Sequence, residues 1–152
     1  MNTQRDDKIK LDLSPIPLLN RAALIRRWQH GSDAFFWRQE RAGRLHPVLH
    51  GGLLRYSWHD VFVFEGGLPS AQSDVDYFAD LMLPEEVAKI CNCAPDFIMK
   101  AARNGILPAR RIGRASRFVP GEVALWQRRT WSARTARMNE ESTKTTPFSS
   151  DE

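Results

Sequence analysis

The chain has 152 residues, with 22 Lys and Arg against 18 Asp and Glu and a net charge of +4. That length is long for one small domain and comfortable for two of about 60 residues each. Cys91 and Cys93 alone cannot close a four-ligand zinc site, no apolar run is long enough to span a bilayer, and the charged start MNTQRDDKIK lacks a signal-peptide core. A cytoplasmic, reduced protein is expected.

Residues 1–14 are polar and are expected to be disordered, with 14–17 (SPIP) as a stiff lead-in. Apolar residues at 19, 23, 24 and 28 recur at helical spacing, and Asn20 is placed to cap that helix. Residues 29–32 (QHGS) read as a turn. Ser32 then caps a second helix to about Ala42, which Gly43 ends. Residues 45–56 read as two short strands around His50, Gly51 and Gly52, and a last short helix opens at Ser57 or Trp58. Residues 66–73 (GGLPSAQS) have linker composition.

The same order then returns. Pro84 and two acids open a helix that turns Val87, Ile90 and Cys91 inward. A second helix runs from Pro95 to Asn104 and stops at Gly105. Strands over 109–112 and 116–119 flank Gly113, and Pro120 starts a helix extending to about Arg134. From Met138 the polar sequence is expected to be a disordered acidic tail.

This return is a repeat. Gly43 and Gly105 are 62 residues apart, and the same offset pairs Leu45 with Leu107, Arg55 with Arg117, Tyr56 with Phe118, Asp60 with Glu122 and Val61 with Val123. Two copies predict a tandem of small units. The expected division is 1–14 disordered, 15–66 first copy, 67–78 linker, 79–137 second copy and 138–152 disordered tail. The predicted class is mainly α with small β-hairpins (α+β). Trp28, Phe35, Phe36, Trp37, Trp58 and Phe62 are expected in the first core.

Charge is unevenly placed. Between residues 99 and 138 stand Lys100, Arg103, Arg110, Arg111, Arg114, Arg117, Arg128, Arg129, Arg134 and Arg137, with Glu122 as the single acid. Such a block is the footprint of a polyanion partner. On the 95–104 helix, Asp96, Lys100 and Arg103 share one face, suited to a DNA major groove, and Asp96 can accept from a cytosine amino group. The Gly113 turn is expected to project Arg111, Arg114 and Arg117 as a wing with Ser116, while Arg110, Arg111 and Arg128 contact phosphates. In the first copy the candidates are Ser32, Arg38, Arg41, Arg44, His50 and Arg55, with Gln39 and Glu40 where the second copy has alanines. Pro47 breaks helical pairing of His46 with His50. No nucleophile triad, phosphate-cradling loop or catalytic carboxylate pair stands out, so no catalytic residue, cofactor or metal site is expected.

Leu83 with Glu86-Val87-Ala88, then Gly105-Ile106-Leu107-Pro108, Arg111-Ile112-Gly113-Arg114, Arg117-Phe118 and Trp126, resembles the MerR-like winged helix-turn-helix of the excisionase type. The match covers about a third of the chain. Residues 42–45 with Pro47, Gly51, Gly52, Arg55, Tyr56, Asp60 and Val61 resemble the related AlpA-like branch, with a helix-to-helix turn two residues longer. Ala94 departs from the family, where Ser or Thr usually caps the recognition helix. The resemblance implies a non-enzymatic, nucleoid-associated protein that binds double-stranded DNA through two winged helix-turn-helix domains. It would act as a transcriptional regulator or as a recombination directionality factor of a phage or mobile element. It implies half-sites roughly 10 bp apart, a monomer or homodimer, and integrase or RNA polymerase as further partners. Two alternatives stay open: a packaging-site binder resembling a phage terminase small subunit, and a first copy that docks protein.

Overall fold

In the computed structural model of the chain, residues 18–70 and 73–144 are described, with backbone alone at 132–138 and 141–144. The expected disorder of residues 1–14 and 145–152 and the lead-in at 14–17 lie outside them. The fold is α+β, built from six helices and two small antiparallel hairpins among the described residues.

Helix α1 (Arg21–Trp28) starts where Asn20 Oδ1 accepts from the Ala23 amide at 2.7 Å. A side-chain acceptor there satisfies one of the donors that a helix start leaves free. The helix ends at Gln29, in the left-handed region at φ 46°. Helix α2 (Asp33–Arg41) starts on Ser32, whose Oγ accepts from the Phe35 amide. Strands β1 (Val48–His50) and β2 (Leu53–Arg55) pair Val48 with Arg55 and His50 with Leu53. Helix α3 (Trp58–Glu65) follows, capped by Ser57.

Helices α4 (Pro84–Cys91) and α5 (Pro95–Arg103), strands β3 (Arg110–Ile112) and β4 (Ala115–Arg117), and helix α6 (Pro120–Lys144) repeat this order. Asp33, Val48, Leu53 and Trp58 open elements 62 residues before Pro95, Arg110, Ala115 and Pro120 do. Each hairpin also gains a bridge from the residues before its first helix, Leu19 to Tyr56 and Met82 to Phe118. Met82 is therefore the counterpart of Leu19. From Leu19 to Gly43 is 24 residues and from Met82 to Gly105 is 23, so the first turn is one residue longer, not two.

The repeats share a core. Leu24, Trp28, Phe35, Phe36, Tyr56 and Val61 of the first pack with Leu81, Ile112 and Val119 of the second. A smaller cluster of Val87, Ile98, Leu107, Phe118, Val123 and Trp126 lies wholly within the second repeat. The segment of linker composition takes part: Val75 and Tyr77 pack on the first core, and Phe78 meets Trp58 edge-on at 4.8 Å.

Three expectations are corrected. Trp37 is exposed, with the Arg41 guanidinium 4.9 Å above its ring. Ile90 is also exposed, on the side of α4 away from the face centred on Val87 and Ala88, at the position where α1 has Arg27. Helix α6 continues past Met138 to Lys144, since no Gly or Pro interrupts residues 122–144. No helix among the described residues is long and apolar enough to cross a membrane.

Candidate nucleic-acid interface

The β3–β4 hairpin leans on the first repeat. Gly113 at its turn has φ +64°, and a Cβ there would lie 3.1 Å from the Phe35 ring, so glycine suits both the backbone and the close approach. Behind the turn, Ile112 is fully buried in the first core. The hairpin register pairs Arg110 with Arg117 and Arg111 with Ser116. Facing partners in an antiparallel ladder share a side, and neighbours along a strand alternate. Arg117 therefore falls on the side of Ile112, and Arg111 on the other.

Arg117 is accordingly not a projecting wing residue. It is 8% exposed. Its Nε donates to the Trp28 carbonyl at 2.8 Å and its Nη2 to the Gln29 carbonyl at 3.0 Å. These carbonyls end α1, where the helix dipole favours a cation. Burial lowers the guanidinium pKa, while Glu85 and Glu86 oppose the shift. Ser116 is buried too. Gln29 closes the same junction, its Nε2 donating to the Leu81 carbonyl and to Glu86 Oε1.

Arg110 is half-buried in an ion pair with Glu122, Nη1 to Oε1 at 3.0 Å, and Tyr77 donates to the other carboxylate oxygen. Arg111 and Arg114 are exposed. Asp96, Lys100 and Arg103 are exposed on α5, and Arg128 is exposed on α6. In the first repeat Ser32 serves as helix cap and Arg41 stacks on Trp37. His50 stands exposed in the β1–β2 hairpin and Arg55 is half-buried. Glu40, at a position that is alanine in the second copy, accepts from the Tyr56 hydroxyl and pairs with Arg21.

Candidates from both repeats meet at one place. Two adjoining hollows, of about 620 and 650 Å³, share Gln39, Gly113 and Arg114. Arg38 lines the first, and Arg44, His46 and Arg111 line the second. No acidic side chain lines either. Helix α2 and the segment after it thus face the β3–β4 turn across a cationic cleft. Arg44 is steadied by Gln39, Nη1 to Oε1 at 3.3 Å. Arg38, Arg44, Arg111 and Arg114 make no ion pair among the described residues.

No family model, curated protein or solved structure matches this chain.

The cleft can hold a row of anionic oxygens. Unpaired guanidiniums are planar donors suited to phosphate and are not neutralised in advance. His46 is the cleft residue that sequence reasoning passed over. Asp60 Oδ1 lies 2.8 Å from its Nδ1, and Asp60 Oδ2 accepts from its backbone amide at 2.7 Å. The signal was the alignment of Asp60 with Glu122, since each carboxylate ties the start of a third helix to the hairpin segment before it.

The hydrogen bond to Asp60, then its charge, raises the His46 pKa above the ordinary value of 6.5. The protonated form is the one the fold favours. Its stabilising effect is full below the unfolded value and is lost as pH rises through the folded one. NMR titration should place the His46 midpoint above 6.5, with Asp60→Asn returning it towards that value. An unshifted midpoint in the parent chain would remove the contact. His30, at the other end of the cleft, shifts down through burial and the nearby Arg117 charge, so it stays neutral at pH 7.

Proposed function

We propose that the chain is a non-enzymatic, double-stranded DNA-binding protein of two winged helix-turn-helix units, of the excisionase type it resembles. The carrying observation is the cationic cleft. Arg38 and Arg44 from one repeat and Arg111 and Arg114 from the other line a surface free of acidic side chains. Phosphate contacts of this kind position a protein on a duplex, and base contacts then specify the site. Lys100, Arg103 and Asp96, exposed on α5, are the proposed base readers. The role in the cell is that of a transcriptional regulator or recombination directionality factor.

The shared core refines the binding mode. Two independent domains would protect half-sites about one helical turn apart. Repeats joined through Ile112, Val119 and Leu81 instead address one continuous stretch of duplex. Footprinting over the gene's own upstream region and neighbouring attachment sites tests both points. One uninterrupted protected stretch, shrinking as salt rises, is expected. No protection even at low salt overturns DNA binding, and two separated patches overturn the joint mode.

A further inference from the structure

The contact between the repeats is itself a docking mode that the chain leaves half used. The β3–β4 hairpin of the second repeat sits on the Phe35 face of the first, with its turn against Phe35 and Arg117 on the last carbonyls of α1. Because both repeats have the same element order, each has a hairpin and a matching face. The chain uses one hairpin and one face. The other hairpin, β1–β2, and the other face, around Phe97 on α5, are left over.

Both leftover surfaces expose large apolar side chains among the described residues. Phe35 is 6% exposed, whereas Phe97, 62 residues on, is 54% exposed. On the free hairpin, Val48 and Leu53 stand on the side that matches Ile112 and Arg117, and they are 47% and 58% exposed. Leu53 stands where Ala115 stands in the docked hairpin, which makes the free one more apolar there, while His50 takes the place of Ile112. Arg55 is the counterpart of Arg117. Its guanidinium forms no hydrogen bond or ion pair among the described residues, and the carbonyls corresponding to Trp28 and Gln29 are those of Cys91 and Asn92 at the end of α4. Gln29 and Asn92 both end their helices in the left-handed conformation, so the two docking sites have the same backbone turn. Contiguous exposed apolar surface of this sort marks an interaction site.

We infer that the chain self-associates head to tail, the β1–β2 hairpin of one copy docking on the Phe97 face of the next as β3–β4 docks on Phe35 within a copy. The occupant of the free hairpin is thus a second copy of this chain. The contact joins two different surfaces, so each added copy presents a fresh hairpin and a fresh face, and assembly stays open unless its rotation closes a ring. This inference does not depend on the DNA-binding reading.

Sedimentation velocity of the full chain over rising concentration should show a mean mass that climbs past the dimer. Val48→Glu with Leu53→Glu blocks the hairpin, and Phe97→Glu blocks the face. Each variant alone should remain monomeric. Their mixture should form a one-to-one dimer and stop, because one partner keeps its hairpin and the other its face. Arg55→Ala should weaken assembly by about tenfold or more, the scale of a lost charge-assisted hydrogen bond. These side chains are exposed or half-buried, and circular dichroism with thermal melting confirms that each variant is folded. A parent chain monomeric to its solubility limit overturns the inference. So does a parent that stops at a closed dimer, or a mixture of blocked variants that stays monomeric while the parent assembles.

Discussion

Glu65→Ala should cost the fold about 3–5 kcal/mol, the range for breaking one partner of a buried ion pair. Arg27 and Glu65 side chains are each 2% exposed, and the carboxylate accepts Nε and Nη2 of Arg27 at 2.9 Å apiece. The same carboxylate accepts from Trp28 Nε1, while Arg27 Nη1 donates to the Ala79 carbonyl. The Arg27 guanidinium also lies 5.1 Å from the Trp58 ring centroid and 5.5 Å from that of Phe62. Removing the carboxylate leaves a buried cation and an indole donor without an acceptor, and the full desolvation penalty of both remains. A typical domain has only about 5–15 kcal/mol to lose, so a loss of this size removes a large share of the fold's stability. The double variant Arg27→Met with Glu65→Leu should recover much of the loss, because the buried charge is gone. Urea unfolding of the single and double variants measures both. A Glu65→Ala loss below roughly 1 kcal/mol, the scale of an exposed pair, contradicts the buried placement.

Much of the framework was written locally. Asn20 and Ser32 cap helices that begin one residue later, Gly43 and Gly105 end α2 and α5, and the glycine turns lie between paired strands. Each of these signals acts over a few residues, and the repeat doubles the glycines but not the side-chain caps, where the second copy has Leu83 and Ala94. The junction between repeats was not written locally. Arg117 finds its acceptors 88 and 89 residues away, and they are backbone carbonyls, which carry no residue identity. Strand alternation alone separates Arg117 from Arg111, so part of the error lay in treating three arginines as one cluster. The Arg27–Glu65 pair spans 38 residues, and Arg27 is buried while its neighbour Arg26, the same residue type, is exposed. The cleft was invisible for the same reason. Its arginines were all named as candidates, but only the packing of one repeat's hairpin on the other brings Arg38 and Arg44 to Arg111 and Arg114.

Arg114→Ala and Arg117→Ala should therefore fail in different ways. Arg114 is an exposed cleft residue beside Gly113, and under the proposed DNA binding its loss removes one phosphate contact. Duplex affinity should fall by about 1.5 kcal/mol or more, and the slope of log K against log salt should flatten by about one unit. Arg111→Ala with Arg114→Ala should flatten it by about two, at unchanged thermal stability, since neither side chain contributes to the core. Arg117→Ala instead deletes two charge-assisted bonds to the end of α1, worth roughly 1.5 kcal/mol each. It should lower stability by about 3 kcal/mol and leave the salt slope of the surviving folded protein where it was. Fluorescence anisotropy at several salt concentrations, paired with urea unfolding, separates the two outcomes. A salt slope that drops for Arg117→Ala without loss of stability would put that guanidinium back on the DNA and undo the junction. A slope untouched by Arg111→Ala with Arg114→Ala would leave the cleft without its anion, and the polyanion would have to be sought on the exposed face of α5.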